Sequence, residues 1–224
     1  MAHIFHQFQR PPEELIEQFK GIGAATVYEA GGRIGSVSPA IKPLAPGMKL
    51  LGPALTVRCF PRDNLMLHKA MQMAKPNDII VAITEGFHEA GYFGELMATS
   101  AKARQLGGLA IDACVRDSAD IIAMNFPIFC RGTCIRGTTK KNPGLINQPI
   151  VFGEVVVHPG DLVIGDDDGI VILPKDSIKH VLDASLKRIE IEKQKAEVFS
   201  QGMTSVELYK LDEVLISSGA VVEE

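Results

Sequence analysis

Three side chains suited to acid–base and metal chemistry stand near the middle of the chain. Glu95 is followed, after the twenty residues 96–115, by the adjacent pair Arg116 and Asp117. The Arg116 guanidinium offers a planar fork that binds carboxylates through two hydrogen bonds, and the Asp117 carboxylate offers the hard oxygen atoms that Mg²⁺ or Mn²⁺ prefers. Brought together, these groups would suit an acidic substrate chelated to a divalent metal.

The residues between these groups form a unit that can bring its two ends together. Glu95–Leu106 is rich in helix-forming residues and stops at Gly107-Gly108, which is typical of a helix C-terminus. The first turn, Gly94–Met97, then offers backbone N–H groups without intrahelical partners, and such a helix end binds carboxylates or phosphates. The apolar stretch Leu109–Ile111 predicts a strand that returns the chain toward that end.

A purely structural role accounts for the same residues. Glu95 would then complement the positive end of the helix dipole, while Arg116 and Asp117 would cap a turn. Arg-Asp dipeptides are common, and short motifs match by chance. The spacing by itself leaves both interpretations open.

Other acidic residues and histidines are expected to be structural. Asp166-Asp167-Asp168 precedes a glycine and is flanked by β-branched runs, which favours a hairpin turn over a metal cluster. His68 is interpreted as a packed or capping residue of a helix, not as a ligand. The acids of the long C-terminal helix are expected on a solvated face, paired with lysines. They are Glu190, Glu192 and Glu197.

No GxGxxG after a strand, Walker lysine or GxSxG occurs, which argues against nucleotide binding and serine nucleophiles.

Helices and short strands alternate irregularly along the chain. Pro11-Pro12-Glu13-Glu14 begins a helix, because prolines are tolerated in a first helical turn. His158-Pro159-Gly160-Asp161 predicts a hairpin between Val151–Val157 and Leu162–Ile164, and residues 131–149 are loop-like. Asp176 is the expected N-cap of a long helix that ends near Ser200. This order predicts one α/β domain with a sandwich architecture. The other expected helices are Ala24–Gly31, Leu65–Ala74 and Ser118–Met124, and the other strands are Leu55–Cys59, Asp78–Thr84, Pro127–Cys130 and Ile170–Leu173.

Composition restricts the class of partner. The chain has 224 residues, 46% hydrophobic and 22% charged, and its net charge of −4 gives no basic field for nucleic acid or a membrane surface. A small molecule or another protein is the expected partner.

The four cysteines form no CxxC pair, which favours a reducing compartment over a disulfide framework. The N-terminal residues contain no apolar signal segment, and no apolar run reaches the roughly 18 residues of a membrane span. A cytoplasmic location is expected.

The stretch GYFGELMATSAKARQLGGLAIDACVRD resembles the RraA-like family, and within it the metal-dependent class II pyruvate aldolases. The resemblance extends to GIGAATVYEAGGRIG, DNLMLHKAMQMAKPNDIIV, HPGDLVIGDDDGIVILP and VELYK, so it covers nearly the whole chain. It implies a single domain over residues 1–224, built as a layered sandwich of mixed β-sheets with flanking helices (a swivelling β/β/α-like fold) and a long C-terminal helix. It also implies a homo-oligomer, either a trimer or a hexamer.

The resemblance assigns roles to individual residues. Asp117 matches the metal ligand, with Mg²⁺, Mn²⁺ or another divalent ion as cofactor. Arg116 matches the arginine that contacts the substrate and the developing enolate oxygen. Gly94, Glu95, Leu96 and Met97 match the helix start whose amides hold the pyruvyl carboxylate. Glu192 is similar to the glutamate that a neighbouring subunit extends toward the waters of the metal.

The implied reaction is cleavage of 4-hydroxy-4-methyl-2-oxoglutarate or 4-carboxy-4-hydroxy-2-oxoadipate. The products would be pyruvate plus either pyruvate or oxaloacetate, and oxaloacetate decarboxylation would be a side activity. Glu95 would help a metal-bound water to act as the base. Glu95 also departs from the family pattern, because close aldolase relatives often carry aspartate there. The alternative function is that of an RraA-type regulator, which binds ribonuclease E without catalysis.

Overall fold

A computed structural model describes residues 2–221 of the chain. The described part contains thirteen strands and eight α-helices. The strands are β1 (His3–Ile4), β2 (Lys42–Pro43), β3 (Leu50–Arg58), β4 (Ile79–Ile83), β5 (Gly108–Ile111), β6 (Cys114–Val115), β7 (Ile128–Cys130), β8 (Gly132–Thr133), β9 (Leu145–Ile146), β10 (Ile150–Phe152), β11 (Val155–Val157), β12 (Leu162–Asp166) and β13 (Gly169–Leu173). The helices are α1 (Glu13–Glu17), α2 (Ala24–Ala30), α3 (Leu65–Met73), α4 (Glu95–Ala103), α5 (Ser118–Ala123), α6 (Ile178–Ser200), α7 (Ser205–Tyr209) and α8 (Leu211–Ser217).

A mixed sheet of nine strands organises the fold. Strands β3, β4, β5 and β7 are parallel neighbours, while β3 pairs antiparallel with β9 and with β12. β12 in turn forms an antiparallel hairpin with β13. The predicted α/β sandwich with mixed strands, flanking helices and a long C-terminal helix is therefore confirmed.

The central strands are apolar on both faces because both faces are covered. In β4, Ile80 and Ala82 belong to the core that includes α3 and α4, whereas Ile79 and Val81 belong to the core that includes the β10–β11 hairpin. This arrangement explains why these strands appear in the sequence as continuous apolar runs. A third core packs α1, α2 and the first half of α6 against β12 and β13.

The candidate site lies at the edge of the sheet where the parallel strands end. β3, β4 and β5 run in the same direction, so the segments that leave their carboxyl ends are neighbours. These segments carry Asn64 at the start of α3, Gly94 at the start of α4, and Arg116 with Asp117 at the start of α5. Residues far apart in sequence therefore meet at one place.

The predicted hairpin at residues 158–161 is wrong. β11 and β12 do not pair; β11 pairs with β10, and β12 pairs with β13 and β3. The tight turn lies instead at Gly153-Glu154, where both residues have positive φ (49° and 75°), as the preferred two-residue hairpin turns require. The turn at Asp161 carries the chain between two different sheets, and the Asp161 carboxylate accepts a hydrogen bond from His158 N at 2.8 Å.

Other boundaries differ more modestly from expectation. α4 ends at Ala103 instead of Leu106, and the expected loop 131–149 contains the short strands β8 and β9. Asp176 lies in a 3₁₀ turn, Lys175–Ser177, and Ser177 precedes α6. The Asp166–Asp168 turn is confirmed as the connection between β12 and β13. Within the described residues, no helix combines the length and apolarity needed to cross a membrane.

Candidate functional site

The start of α4 is bonded directly to the start of α5. Asp117 Oδ2 accepts a hydrogen bond from Glu95 N at 3.1 Å, and Arg116 N donates to Phe93 O at 2.9 Å. Asp117 adopts a left-handed backbone conformation (φ 55°, ψ 41°), which aspartate tolerates better than most residues do. Because of this conformation, Asp117 precedes α5 directly and still turns its carboxylate toward α4.

Gly94 makes this close approach possible. A Cβ atom at residue 94 would lie 2.5 Å from Asp117 Oδ2 and 3.0 Å from Arg116 Nε. Its backbone is extended (φ −137°), so the requirement for glycine comes from space and not from an unusual dihedral angle. From the sequence Gly94 was expected in the first turn of the helix and at the carboxylate site; in the structure it precedes α4, and the close approach of Asp117 explains why a glycine is needed there.

The helix start is only partly free to bind an anion. Glu95 N is used by Asp117, and Met97 N donates to Gly94 O at 3.1 Å. Leu96 N, the second N–H of the helix, has no carbonyl four residues earlier within the helix. The Leu96 side chain is 79% exposed. Of the four residues expected to hold a carboxylate, Leu96 therefore has the amide best placed to do so.

Arg116 and Asp117 form a partly exposed charged pair. Arg116 Nε lies 3.5 Å from Asp117 Oδ2, and about half of each side chain is accessible to solvent. This separation is longer than a good charge-assisted hydrogen bond, so the guanidinium is not committed to Asp117. Both groups keep capacity to bind something else.

These residues line one cavity of about 490 Å³. The helix start Gly94–Met97 forms one wall, and Arg116 with Asp117 forms a second. The structure thus brings together every predicted site residue except Glu192. The remaining lining residues are Asn64, His68, Gly91, Tyr92, Asp120, Gly137, Thr138 and Lys140.

Two buried polar atoms of the α3 wall have no partner among the described residues. They are Asn64 Oδ1 and His68 Nε2. Asn64 Nδ2 is satisfied by Tyr92 O at 2.9 Å, which fixes the side chain so that its oxygen stays available. Buried polar groups are normally paired, so an orphaned oxygen and nitrogen in one cavity point to a bound polar group.

Burial lowers the pKa of His68, and the nearby positive charge of Lys140 lowers it further. The imidazole is therefore neutral near pH 7 and can donate or accept one hydrogen bond at Nε2. His68 was expected to be a packing or capping residue, and the structure places it in the cavity. Its position four residues after Asn64 puts both side chains on one helix face, which is the feature of the sequence that could have identified them.

Glu192 lies in a different groove. Its Oε1 is 2.7 Å from Arg188 Nε on the same helix, and the groove also contains Ile191 and Tyr209. Within one chain the structure does not bring Glu192 to the cavity of Asp117. The apolar residues beside it, Ile189 and Ile191, are 39% and 43% exposed.

The donor set of the cavity fits Mg²⁺ or Mn²⁺. Within residues 2–221 no three His, Cys, Asp or Glu side chains are grouped so that they could hold a metal unaided. The carboxylates in the cavity are Glu95, Asp117 and Asp120, all hard oxygen donors. Mg²⁺ commonly binds one or two carboxylates and keeps several waters, so it suits a site with few protein ligands. By contrast, two carboxylates of the Asp166–Asp168 turn already accept hydrogen bonds from the protein backbone. Asp166 Oδ2 accepts from Ala24 N, and Asp167 Oδ1 accepts from Gly47 N.

Comparison with known proteins identifies relatives that align with most of the chain. A protein of Halalkalibacterium halodurans named "Putative 4-hydroxy-4-methyl-2-oxoglutarate aldolase" is 34% identical over 196 residues, which are 88% of this chain and 93% of that protein. An uncharacterized protein of Methanocaldococcus jannaschii is 34% identical over 175 residues, which are 77% of this chain and 84% of that protein.

Solved structures share the fold. A Streptomyces coelicolor protein, described as an unusual member of the RNase ES inhibitor RraA protein family, superposes with a TM-score of 0.74 at 26% identity, covering 88% of this chain and all of that one. An uncharacterized protein of Pseudomonas syringae pv. tomato gives a TM-score of 0.76 at 24% identity, covering 88% of this chain and 97% of that one. The sequence model of the RraA-like family, described as Aldolase/RraA, matches residues 24–172. The chain belongs to the RraA-like family.

Proposed function

We propose that this protein is a divalent-metal-dependent class II aldolase. Its substrates would be 4-hydroxy-4-methyl-2-oxoglutarate or 4-carboxy-4-hydroxy-2-oxoadipate, and its products pyruvate plus pyruvate or oxaloacetate. The observation that carries the proposal is the convergence of a partly free helix start, the Arg116 guanidinium and the Asp117 carboxylate on one cavity. The aldolase name of the Halalkalibacterium halodurans relative supports it.

Asp117 would hold the metal ion, with Mg²⁺ or Mn²⁺ as the expected species. When bound, the ion supplies Lewis-acid stabilisation to the 2-keto oxygen and neighbouring carboxylate of the substrate. The contact between Asp117 Oδ2 and Glu95 N fixes the orientation of this carboxylate before anything binds. A ligand held in place in this way loses little freedom when the complex forms.

Arg116 would stabilise the charge that develops during cleavage. Breaking the C3–C4 bond leaves its electron pair on the pyruvyl fragment, so negative charge grows on the C2 oxygen as an enolate. A guanidinium that is only loosely paired with Asp117 can donate two N–H groups to that oxygen and the adjacent carboxylate. The Leu96 amide at the helix start would bind the same carboxylate.

Glu95 would position the group that removes the proton from the C4 hydroxyl. Its backbone is held by Asp117, and its half-buried side chain lines the cavity. Loss of that proton converts the C4 alcohol into a carbonyl as the C3–C4 bond breaks, which balances the electrons of the step. The family resemblance leads us to expect aspartate at this position; glutamate is one methylene longer, so it would shift the group that it positions and would affect which C4 substituents fit.

The part of the cavity that is lined by Lys140 and His68 suits the second acidic end of such substrates. Lys140 provides a positive charge, and neutral His68 can donate Nε2–H to a carboxylate, whereas Asn64 Oδ1 can only accept a hydrogen bond, for example from the C4 hydroxyl of the substrate. A diacid or triacid can therefore satisfy both ends of the cavity. Loss of CO₂ from oxaloacetate generates the same pyruvate enolate, so decarboxylation is the expected side activity.

The working enzyme would be a homo-oligomer, either a trimer or a hexamer, with a small molecule as its substrate and no nucleic-acid or membrane partner. The partly exposed Ile189 and Ile191 on α6 support burial against another subunit. In such an assembly Glu192 of one subunit would reach the waters around the metal of the next. This arrangement accounts for an acid that lies outside the cavity of its own chain.

Pyruvate release from a panel of 4-hydroxy-2-oxo acids and oxaloacetate, with Mg²⁺ or with EDTA, tests the proposal. We expect metal-dependent release that EDTA abolishes and added Mg²⁺ restores. Absence of turnover for the entire panel in the presence of Mg²⁺ and Mn²⁺ would refute it.

A regulator that binds ribonuclease E is the second candidate. The description of the Streptomyces coelicolor neighbour as a member of an RNase inhibitor family favours this function. A binding module has no need of the cavity residues, so substitution of Arg116 or Asp117 would leave inhibition of ribonuclease E unchanged. Inhibition of RNA cleavage by a protein without pyruvate-releasing activity would establish this candidate instead of the aldolase.

A further inference from the structure

Asp63 is a buried carboxylate that joins two walls of the cavity. It is 1% exposed and lies just before α3. Its Oδ1 accepts from Leu65 N at 2.9 Å, which satisfies the start of the helix that carries His68. Its Oδ2 accepts from a separate segment, namely Thr139 Oγ1 at 2.7 Å, Lys141 N at 2.7 Å, Asn142 N at 3.0 Å and Asn142 Nδ2 at 3.3 Å.

The segment bound by Asp63 carries cavity residues. Gly137, Thr138 and Lys140 line the cavity, while Thr139 and the two residues after Lys140 face Asp63. The other end of this loop is held where Gly91 N donates to Arg136 O at 2.8 Å. Residues 137–142, called the cavity loop below, are thus fixed at both ends.

Asp63 is well adapted to remain an anion in this position. Burial by itself would raise the pKa of its carboxyl, but the hydrogen bonds from Leu65 N, Lys141 N, Thr139 Oγ1 and Asn142 N outweigh burial and lower the pKa to about 2. Hydrogen bonds to a charged acceptor are about twice as strong as neutral ones. The contacts of Asp63 therefore contribute strongly to docking of the cavity loop.

We propose that Asp63 is a positioning residue that clamps the cavity loop against α3 and thereby keeps Lys140 near His68 in the lining of the substrate cavity. Docking of the loop stands on the geometry alone. The catalytic consequence rests on the proposed aldolase function, in which Lys140 meets the second acidic end of the substrate.

An isosteric amide cannot replace this carboxylate. In Asp63→Asn one acceptor oxygen becomes an N–H₂ group, which would face either Leu65 N or the donors of the cavity loop. Two hydrogen-bond donors would then face each other in the protein interior. This arrangement lowers the stability of the docked loop far more than the loss of a solvent-exposed hydrogen bond would. Asp161→Asn is the matched control, because Asp161 is also buried and ties a turn through His158 N and Lys175 N, but lines no part of this cavity.

The pKa of His68, followed by NMR, reports the position of Lys140 without any turnover. The Lys140 charge lowers that pKa in the intact protein, so release of the loop should raise it. We expect Asp63→Asn to raise the pKa of His68 in the same direction as Lys140→Met, and Asp161→Asn to leave it unchanged. An unchanged His68 pKa in Asp63→Asn, with a shift in Lys140→Met, would overturn the proposal.

Limited trypsin digestion gives an independent measure of loop docking. Lys140 and Lys141 become cleavable when the loop opens, and the cleavage rate then follows the open population. We expect initial cleavage at these sites to be about tenfold faster in Asp63→Asn than in the wild type or Asp161→Asn, for loss of one charged hydrogen-bond cluster. Thr139→Val, which removes only one donor, should show a smaller increase and keeps the test valid if Asp63→Asn folds poorly. Equal cleavage rates in all variants would contradict a clamp.

Steady-state kinetics tests the role of Asp63 in loop docking separately from the proposed aldolase reaction. If Asp63 holds the loop and the protein is an aldolase, Asp63→Asn should raise KM for diacid substrates more than it lowers kcat. Lys140→Met should change KM and kcat in the same way. A released loop with unchanged kcat/KM would overturn the role of Asp63 in catalysis. The NMR and digestion measurements remain decisive for the clamp even if the protein cleaves no oxo acid.

Discussion

Glu95 N and Asp117 Oδ2 are hydrogen-bonded at 3.1 Å although 22 positions separate them in the chain. This bond closes the unit that begins at one acid and ends at the other. It leaves the Asp117 carboxylate oriented, partly exposed and next to a loosely held guanidinium. The structural and functional interpretations of this spacing are therefore not exclusive, because Asp117 satisfies the helix start and also faces the cavity.

Gly94→Ala should damage the site without affecting the fold broadly. The new Cβ would lie 2.5 Å from Asp117 Oδ2, so the carboxylate or the helix start must move. A displacement of about 1 Å in a catalytic group costs on the order of 100-fold in rate, and we expect a loss of kcat of that size. Gly137→Ala is the control, since Gly137 lines the same cavity but its added Cβ would meet nothing within 4 Å. Equal activity of the two variants in the pyruvate assay would show that the close approach of Gly94 and Asp117 is unimportant.

Arg116→Lys should lower kcat although the positive charge is kept. The lysine ammonium cannot form two parallel hydrogen bonds, and the lost contact is strongest when the enolate has formed. We expect a fall in kcat on the order of 100-fold with little change in KM. Steady-state kinetics with the best oxo-acid substrate decides this point. A rise in KM alone would make Arg116 a ground-state anchor for the carboxylate.

The stabilising effect of Asp63 should depend on pH. Its carboxyl has a pKa of about 2 in the folded chain, against an ordinary value of 3.8. Its contribution, on the order of 2 kcal/mol, is thus present above about pH 4 and lost as the pH falls toward 2. The difference in free energy of unfolding between the wild type and Asp63→Asn should narrow over that range in urea titrations. Thr139→Val keeps the carboxyl but removes one of the hydrogen bonds that lower its pKa, so it should show a pH-dependent stability smaller than that of the wild type. If the difference in free energy of unfolding between the wild type and Asp63→Asn stays constant as the pH falls from 6 toward 2, the stabilising role of the Asp63 carboxylate is refuted.

More of the lining of the candidate cavity could be predicted from the sequence at the start of α4 than in the segment that carries Lys140. Glu95, Arg116 and Asp117 could be found because their spacing and the helix between them are local features. Lys140 could not, because the bonds that bring its loop to α3 join Asp63 to residues 76–79 positions away. His68 was interpreted only as a packed or capping residue, although its spacing from Asn64 was a usable signal. The turn at Gly153-Glu154 was missed for another reason, since Glu154 is a poor candidate for positive φ and the adjacent His-Pro-Gly-Asp is a stronger turn sequence.

Sharing of the site between subunits predicts complementation. Asp117→Asn and Glu192→Gln oligomers should each be severely impaired, because one would lack the proposed metal ligand and the other the acid that is proposed to reach the waters of the metal. After the two are dissociated and reassembled together, some interfaces join an intact Asp117 to an intact Glu192, and part of the activity should return. Mass spectrometry must verify that mixed oligomers formed. If mixed oligomers form but activity does not return, either the complete site lies within one chain or Glu192 is not part of the site.

Exchange of the pyruvate methyl protons for deuterium tests the central claim most directly, because it requires enolate formation but no knowledge of the preferred substrate. In D₂O with Mg²⁺, the wild type should deplete the methyl proton resonance of pyruvate. Exchange should stop with EDTA and in Asp117→Ala, and also in Asp117→Asn, which keeps an acceptor for Glu95 N and tolerates the left-handed backbone. Exchange that proceeds equally in EDTA or in both Asp117 variants, or no exchange by the wild type with Mg²⁺ or Mn²⁺, would contradict a metal-dependent aldolase site at Asp117.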